Sequence, residues 1–176
     1  LRTMFKNIEI HNSHAKDIDT IAKLYNEATD YQIKKSAVPW PVIERQLIER
    51  EITEKRQWKI LINNKVACVF SISYSDPQIW LELNEDPAIY IHRISTSPEF
   101  RGHYLVKEII KWSINFAKAN NKKYIRMDTV GENLSLINYY KKCGFDFLGL
   151  SKLKDTLDLP SHYHNSTVCL FQIKIK

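Results

Sequence analysis

The region from residue 88 to residue 145 alternates between the two periods of regular structure. An apolar strand-like run, AIYIHRI, leads through STSPEFRGHYLV into VKEIIKWSINFAKA. There Leu105, Ile109, Trp112 and Phe116 fall on one helical stripe, with lysines opposite. KKYIRMDTV returns to strand, with Ile125, Met127 and Thr129 alternating. GENLSLINYYKKCGF is then a helix, with Asn133 as N-cap, Gly144 as C′ stop and Phe145 packing back onto the last turn. A chain that alternates strand and helix in this way builds a sheet with helices laid against it.

The first half is a meander. FKNIEIH has strand composition, and HAKDIDTIAKLYNEA sets Ile18, Ile21, Ala22, Tyr25 and Ala28 on one helical face, with Ser13 as its cap. SAVPWPV breaks that helix, because each proline removes an amide donor. PVIERQLIEREITEK predicts a second helix with Pro41 in its first turn. QWKILINNKVACVFSISY is a hairpin turning at Asn63-Asn64, since asparagine tolerates positive φ. SDPQIWLELNEDPA is an acidic connection, and the tail is two strands joined by a polar loop. The expected fold is of the α/β class (mixed α+β), one mixed sheet with helices on both faces.

The 176 residues suit one domain, expected from residue 4 to residue 176. No apolar run is long enough to span a membrane, and LRTMFKNIEIHNSH lacks the core of a signal peptide. Cys68, Cys143 and Cys169 are scattered, which argues against a disulfide framework or zinc site and for a reducing cytoplasm. The net charge of +6 comes with lysine pairs but no basic arm or recognised motif, so neither a nucleic-acid nor a membrane partner is expected. The charge instead suits a ligand with several negative charges.

Two segments carry a resemblance that covers nearly the whole chain. IHRISTSPEFRGHYLVKEII is similar to the acyl-CoA pyrophosphate segment of the GNAT superfamily of acyl-CoA N-acyltransferases, a strand followed by P-x-x-R/Q-x-x-G-x-G/A and a helix. NLSLINYYKKCGF resembles the same family's N-x-x-A-x-x-x-Y-x-x-x-G-F, matching at Asn133, Tyr140, Gly144 and Phe145. The resemblance implies a mostly antiparallel mixed sheet whose fourth and fifth strands splay apart, with acetyl-CoA as acyl donor in the gap.

It also implies roles for particular residues. The main chain of Ile94 and Thr96 would pair with the cofactor's arm, by the physics of strand addition. The pyrophosphate would sit over the helix N-terminus, on the amides of Arg101, Gly102, His103, Tyr104, Leu105 and Val106, with Asn133 nearby. Arg101 fits the pattern, but the family glycine falls on Tyr104 and the Gly/Ala position on Val106. Tyr140 maps to the tyrosine that protonates the leaving thiolate.

The base stays open among Glu82, Glu85, His92 and Asp128, with His92 chosen for its intrinsic pKa. Cys143, at a helix C-terminal end, is a poor nucleophile, and HYH at residues 162–164 lacks a third donor, so no metal is expected. The resulting expectation is an N-acetyltransferase acting on a primary amine of a small molecule or peptide, in a ternary complex. Tyr31, Trp40, Trp80 and Tyr163 are candidates to line the acceptor pocket. A homodimer stays open. The rival expectation, resting on Tyr104 and Val106, is a non-catalytic GNAT-like binding domain.

Overall fold

The structure is a computed structural model that describes residue 5 and residues 7–176. Met4, where the expected domain begins, and Lys6, within the first strand-like run, lie outside the described residues. The elements are β1 (Ile8–Asn12), α1 (Ile18–Lys34), α2 (Arg45–Thr53), β2 (Gln57–Ile62), β3 (Lys65–Ser73), α3 (Pro77–Trp80), β4 (Ala88–Thr96), α4 (Leu105–Ala119), β5 (Tyr124–Val130), α5 (Leu134–Cys143), β6 (Asp146–Lys152) and β7 (Thr167–Lys174). They form one sheet in the order β1-β2-β3-β4-β5-β7-β6. The pairings are antiparallel except β4 with β5, which run parallel.

Helices cover both faces of the sheet. Val69 packs with Ile21, Leu24 and Ile48 of α1 and α2, while its neighbour Phe70 joins Leu105, Ile109 and Tyr140 of α4 and α5. Adjacent strand residues point to opposite faces, so this one dipeptide serves two layers. Local signals hold where the sequence is explicit. Asn63 and Asn64 turn at φ 50° and 64°. Asn133 Oδ1 accepts from the Leu136 amide at 3.1 Å, and Gly144 ends α5 at φ 119°.

Three local expectations are corrected. Ser13 does not cap α1: a 3₁₀ turn (Ala15–Asp17) intervenes, its N-cap is His14, and the His14 amide donates to Asp17 Oδ2 at 2.7 Å. Helix α2 starts at Arg45, leaving Pro41 outside it. The stretch before it is tied to α1 instead, with the Trp40 amide on Gln32 Oε1 at 2.8 Å and Thr29 Oγ1 on the Trp40 carbonyl at 3.3 Å. The acidic connection contains α3, with Pro77 in its first turn, and a 3₁₀ turn at Leu81–Glu85. Its Asp86 pairs with buried Arg126, which lies between the rings of Trp80 and Tyr124.

Candidate active site

Strands β4 and β5 pair only from Ala88 to Tyr90 and from Tyr124 to Arg126. Past that point they separate, for two reasons. β5 stays laddered to β7 as far as Val130. β4 bulges: Val69 pairs with Ser95 and Ser71 with His92, so Phe70 alone spans Arg93 and Ile94. Arg93 absorbs the extra residue in the left-handed region, at φ 48°. A bulge bends its strand and increases its twist, which here turns β4 away from β5.

A cleft of about 1450 Å³ opens in the gap. It is lined by residues 91–96 of β4, residues 127–130 of β5, the loop before α4, one side of α5, the α1–α2 connection and residues 159, 160, 162 and 163 of the β6–β7 loop.

At one end lies the N-terminus of α4. Gly102 stands at φ 82° and Tyr104, the N-cap, at φ 56° and ψ 42°. Tyrosine thus occupies a left-handed backbone position that glycine ordinarily fills. Its ring stacks on Tyr139, centroids 5.8 Å apart, and Lys107 Nζ lies 5.5 Å from its centroid. Val106 is helical, and its side chain is buried in the main core. The amides of Gly102, His103, Leu105 and Val106 find no acceptor among the described residues, as the first turn of a helix dictates.

The other expected residues divide. Ile94, Thr96, Arg101 and Asn133 line the cleft. The Arg101 guanidinium, however, is held by α1, 4.2 Å from the centroid of the Tyr31 ring and donating to the Glu27 carbonyl at 3.3 Å. His103 turns its ring onto Phe5, centroids 4.6 Å apart, and its side chain is not in the lining.

Tyr140 reaches the cleft from α5. It is 9% exposed, packed against Phe145 and Phe171, and its hydroxyl has no hydrogen-bond partner among the described residues. Burial pushes its pKa up, so it stays protonated. Burial likewise pushes Cys143 up, in line with its inert reading.

At the opposite end the cleft is polar. Tyr31, Trp40 and Tyr163 line the cleft, whereas Trp80 packs in the core against Tyr90. Glu82 and Glu85 are exposed and outside the lining. His92 and Asp128 are in it. His92 Nε2 meets Ser73 Oγ at 2.7 Å, and Ser73 donates to the Ser75 carbonyl at 3.2 Å, so Nε2 carries the ring proton and Nδ1 accepts. Burial, then the charges of Arg93 and Arg56, pulls His92 down to about 3, which makes it a weak base. Tyr163 Oη donates to Asp128 Oδ2 at 2.9 Å.

Sequence reading missed three lining residues here: Glu51, Asp76 and Arg93. Glu51 is 2% exposed and pairs with Arg93, which also donates to Ser71 Oγ at 3.0 Å. The signal for Glu51 was available, since it lies three residues beyond buried Ile48 on α2. Asp76 sat in a loop read only as a connection.

Residues 21–145 match the Acetyltransferase (GNAT) family. An uncharacterized N-acetyltransferase of Bacillus subtilis is 28% identical over 74 residues, 42% of this chain and 41% of that protein, so the match spans less than half of the relative. A GNAT-family acetyltransferase from Listeria monocytogenes superposes with a TM-score of 0.76 at 21% identity, covering 96% of this chain and 95% of that one. A putative acetyltransferase from Salmonella typhimurium, solved with its cofactor acetyl-CoA, gives 0.67 at 13% identity, over 97% and 95%.

Proposed function

The chain belongs to the GNAT acetyltransferase family, and we propose that it transfers an acetyl group from acetyl-CoA to a primary amine by direct attack in a ternary complex. The observation that carries this reading is the Tyr140 hydroxyl, without a partner among the described residues and held in the cleft where β4 and β5 part. The residues present suit the donor. Past Tyr90, β4 offers a strand edge toward β5 without a partner there, which favours an extended, amide-bearing arm. The α4 amides and the helix dipole favour a pyrophosphate.

Acetyl-CoA, when bound, supplies the thioester carbonyl and the leaving thiol. The main chain of Ile94 and Thr96 would hold the arm, and the amides of Gly102, His103, Leu105 and Val106 would hold the phosphates. Arg101, fixed on Tyr31 and the Glu27 carbonyl, braces that loop against α1. Asn133 caps α5 through Oδ1 and keeps its NH₂ group for the ligand. Tyr140 holds a proton at Oη for the departing sulfur. His92 serves as a neutral acceptor, and its low pKa leaves the base to a carboxylate. The case for a non-catalytic domain weakens, because Val106 turns inward and Tyr104 already has the backbone a glycine would adopt.

Calorimetric titration with acetyl-CoA tests the reading: saturable binding below millimolar cofactor is expected, and none at millimolar cofactor would sink it. Replacing Tyr104 by glycine should move acetyl-CoA affinity by less than about threefold, because the backbone there already has the left-handed conformation that glycine takes without strain. A large gain in affinity would instead mean that the tyrosine ring obstructs the phosphate.

A further inference from the structure

The acceptor end of the cleft carries carboxylates without cations to match them. Asp76 and Asp128 line it, and neither forms an ion pair among the described residues. Oxygens of the two and a ring nitrogen of His92 lie within 4.8 Å of one another. Among the described residues, Asp128 accepts one side-chain hydrogen bond, from Tyr163, while the Asp76 carboxylate accepts none. A separate feature points the same way. Oε2 of Glu51, a residue 2% exposed that lines the same cleft, is buried without a hydrogen-bond partner among the described residues.

The neighbouring arginines are already engaged. Arg93 serves Glu51 and Ser71, and Arg56 serves Glu54 and the Ile72 carbonyl. What this end lacks is a compact group rich in N–H donors, and an ammonium brings three.

Resting on the acetyl-transfer reading of this cleft, we propose that Asp76 and Asp128 receive the acceptor as a primary alkylammonium ion and take its proton. The acceptor class is then a cationic alkylamine, and Asp76 is a catalytic residue. One N–H bond of the ammonium breaks and its electron pair stays on nitrogen. The proton passes to a carboxylate oxygen and on to solvent, and the neutral amine becomes the nucleophile.

The electrostatics suit that task. Two carboxylates this close do not both ionise readily in a buried site. Burial, then the charge of Asp128, pushes Asp76 up to about 8, and burial pushes Asp128 up to about 6. A carboxylate in that range accepts a proton near neutral pH, as an ordinary one does not. The titratable groups around the pair are Tyr90 and His92 from β4, Tyr163 from the β6–β7 loop with His162 beside it, and Cys169 from β7, while Arg93 and Arg56 act on His92. Of these, His92 and His162, pulled down to about 3 and about 4 chiefly by burial, stay neutral above pH 5 and do not compete for the proton.

The test compares two acceptors on wild type and Asp76→Asn, with EDTA present. Pentylamine is cationic near neutral pH, and butyric hydrazide, of similar length, is not. The expected result is a loss of at least about 100-fold in kcat/KM for pentylamine and less than about threefold for the hydrazide, with acetyl-CoA affinity unchanged. Without acetyl-CoA, calorimetry of pentylamine in buffers of different ionisation enthalpy should report proton release from wild type and none from the variant.

Equal losses for the two acceptors, or no loss, overturn the inference. So does a wild-type enzyme that binds acetyl-CoA and acetylates the hydrazide but no alkylamine, although the acetyl-transfer reading then stands. Failure to bind acetyl-CoA overturns both. Should Asp76→Asn not fold, Asp128→Asn carries the same contrast.

Discussion

Tyr140→Phe is expected to lower turnover by at least about 100-fold while leaving acetyl-CoA affinity within about threefold. The substitution removes one oxygen and nothing that packs. The ring keeps its contacts with Tyr139, Phe145 and Phe171, at centroid distances of 5.3, 6.1 and 5.2 Å. The lost hydroxyl has no partner among the described residues, so no buried donor or acceptor is orphaned and stability should not fall. The effect therefore falls on chemistry. Burial, followed by the neighbouring Cys143 and Cys68, raises the Tyr140 pKa above that of free tyrosine. It remains an acid across the working range, and its own titration should not appear in the pH profile. Thiol release with saturating acetyl-CoA and amine measures the loss. Unchanged turnover in Tyr140→Phe would remove it as the acid and return the role to solvent.

The features that sequence reading captured are local. The Asn63-Asn64 turn, the Asn133 cap and the Gly144 stop each depend on a few adjacent residues, and each stands where its chemistry puts it. The strand-helix alternation is equally local, and it carried the mixed sheet with helices on both faces.

The acceptor end depends on partners far along the chain. Glu51 and Arg93 are 42 residues apart, and Tyr163 and Asp128 are 35 apart. A glutamate on a short helix reads as solvated until its arginine is known. Arg93 itself reads as an ordinary strand residue, yet it carries the left-handed kink of the bulge, and no short-range pattern signals that. Tyr104 shows the converse. Its departure from the family pattern was visible, but not that its backbone would still take the glycine conformation. Arg101 matched by type, and only the fold revealed that Tyr31 and the Glu27 carbonyl claim it.

The bulge gives the second large effect. Arg93→Ala should destabilise the protein by about 3–5 kcal/mol, because it leaves the Glu51 carboxylate charged, buried and unpaired. It also removes the guanidinium that lies 5.5 Å from the Tyr25 ring centroid and donates to Ser71. For a chain of this length that corresponds to a fall of about 10 °C in Tm. Arg93→Gly loses the same pair but relaxes a φ of 48°, so it should be about 1 kcal/mol more stable than Arg93→Ala. At ordinary strand positions glycine is the worse choice, so the sign of this difference tests the strain directly. Adding Glu51→Gln to Arg93→Ala should recover part of the loss, since the orphaned charge then disappears. Denaturant unfolding of the four proteins measures all three differences. Arg93→Ala and Arg93→Gly of equal stability would show that the backbone at residue 93 is not strained. An Arg93→Ala that unfolds like wild type would show that the pair does not hold the bulge. The same contacts reach function through geometry: the bulge turns β4 from β5 and opens the cleft, so loosening it should weaken acetyl-CoA binding as well as the fold.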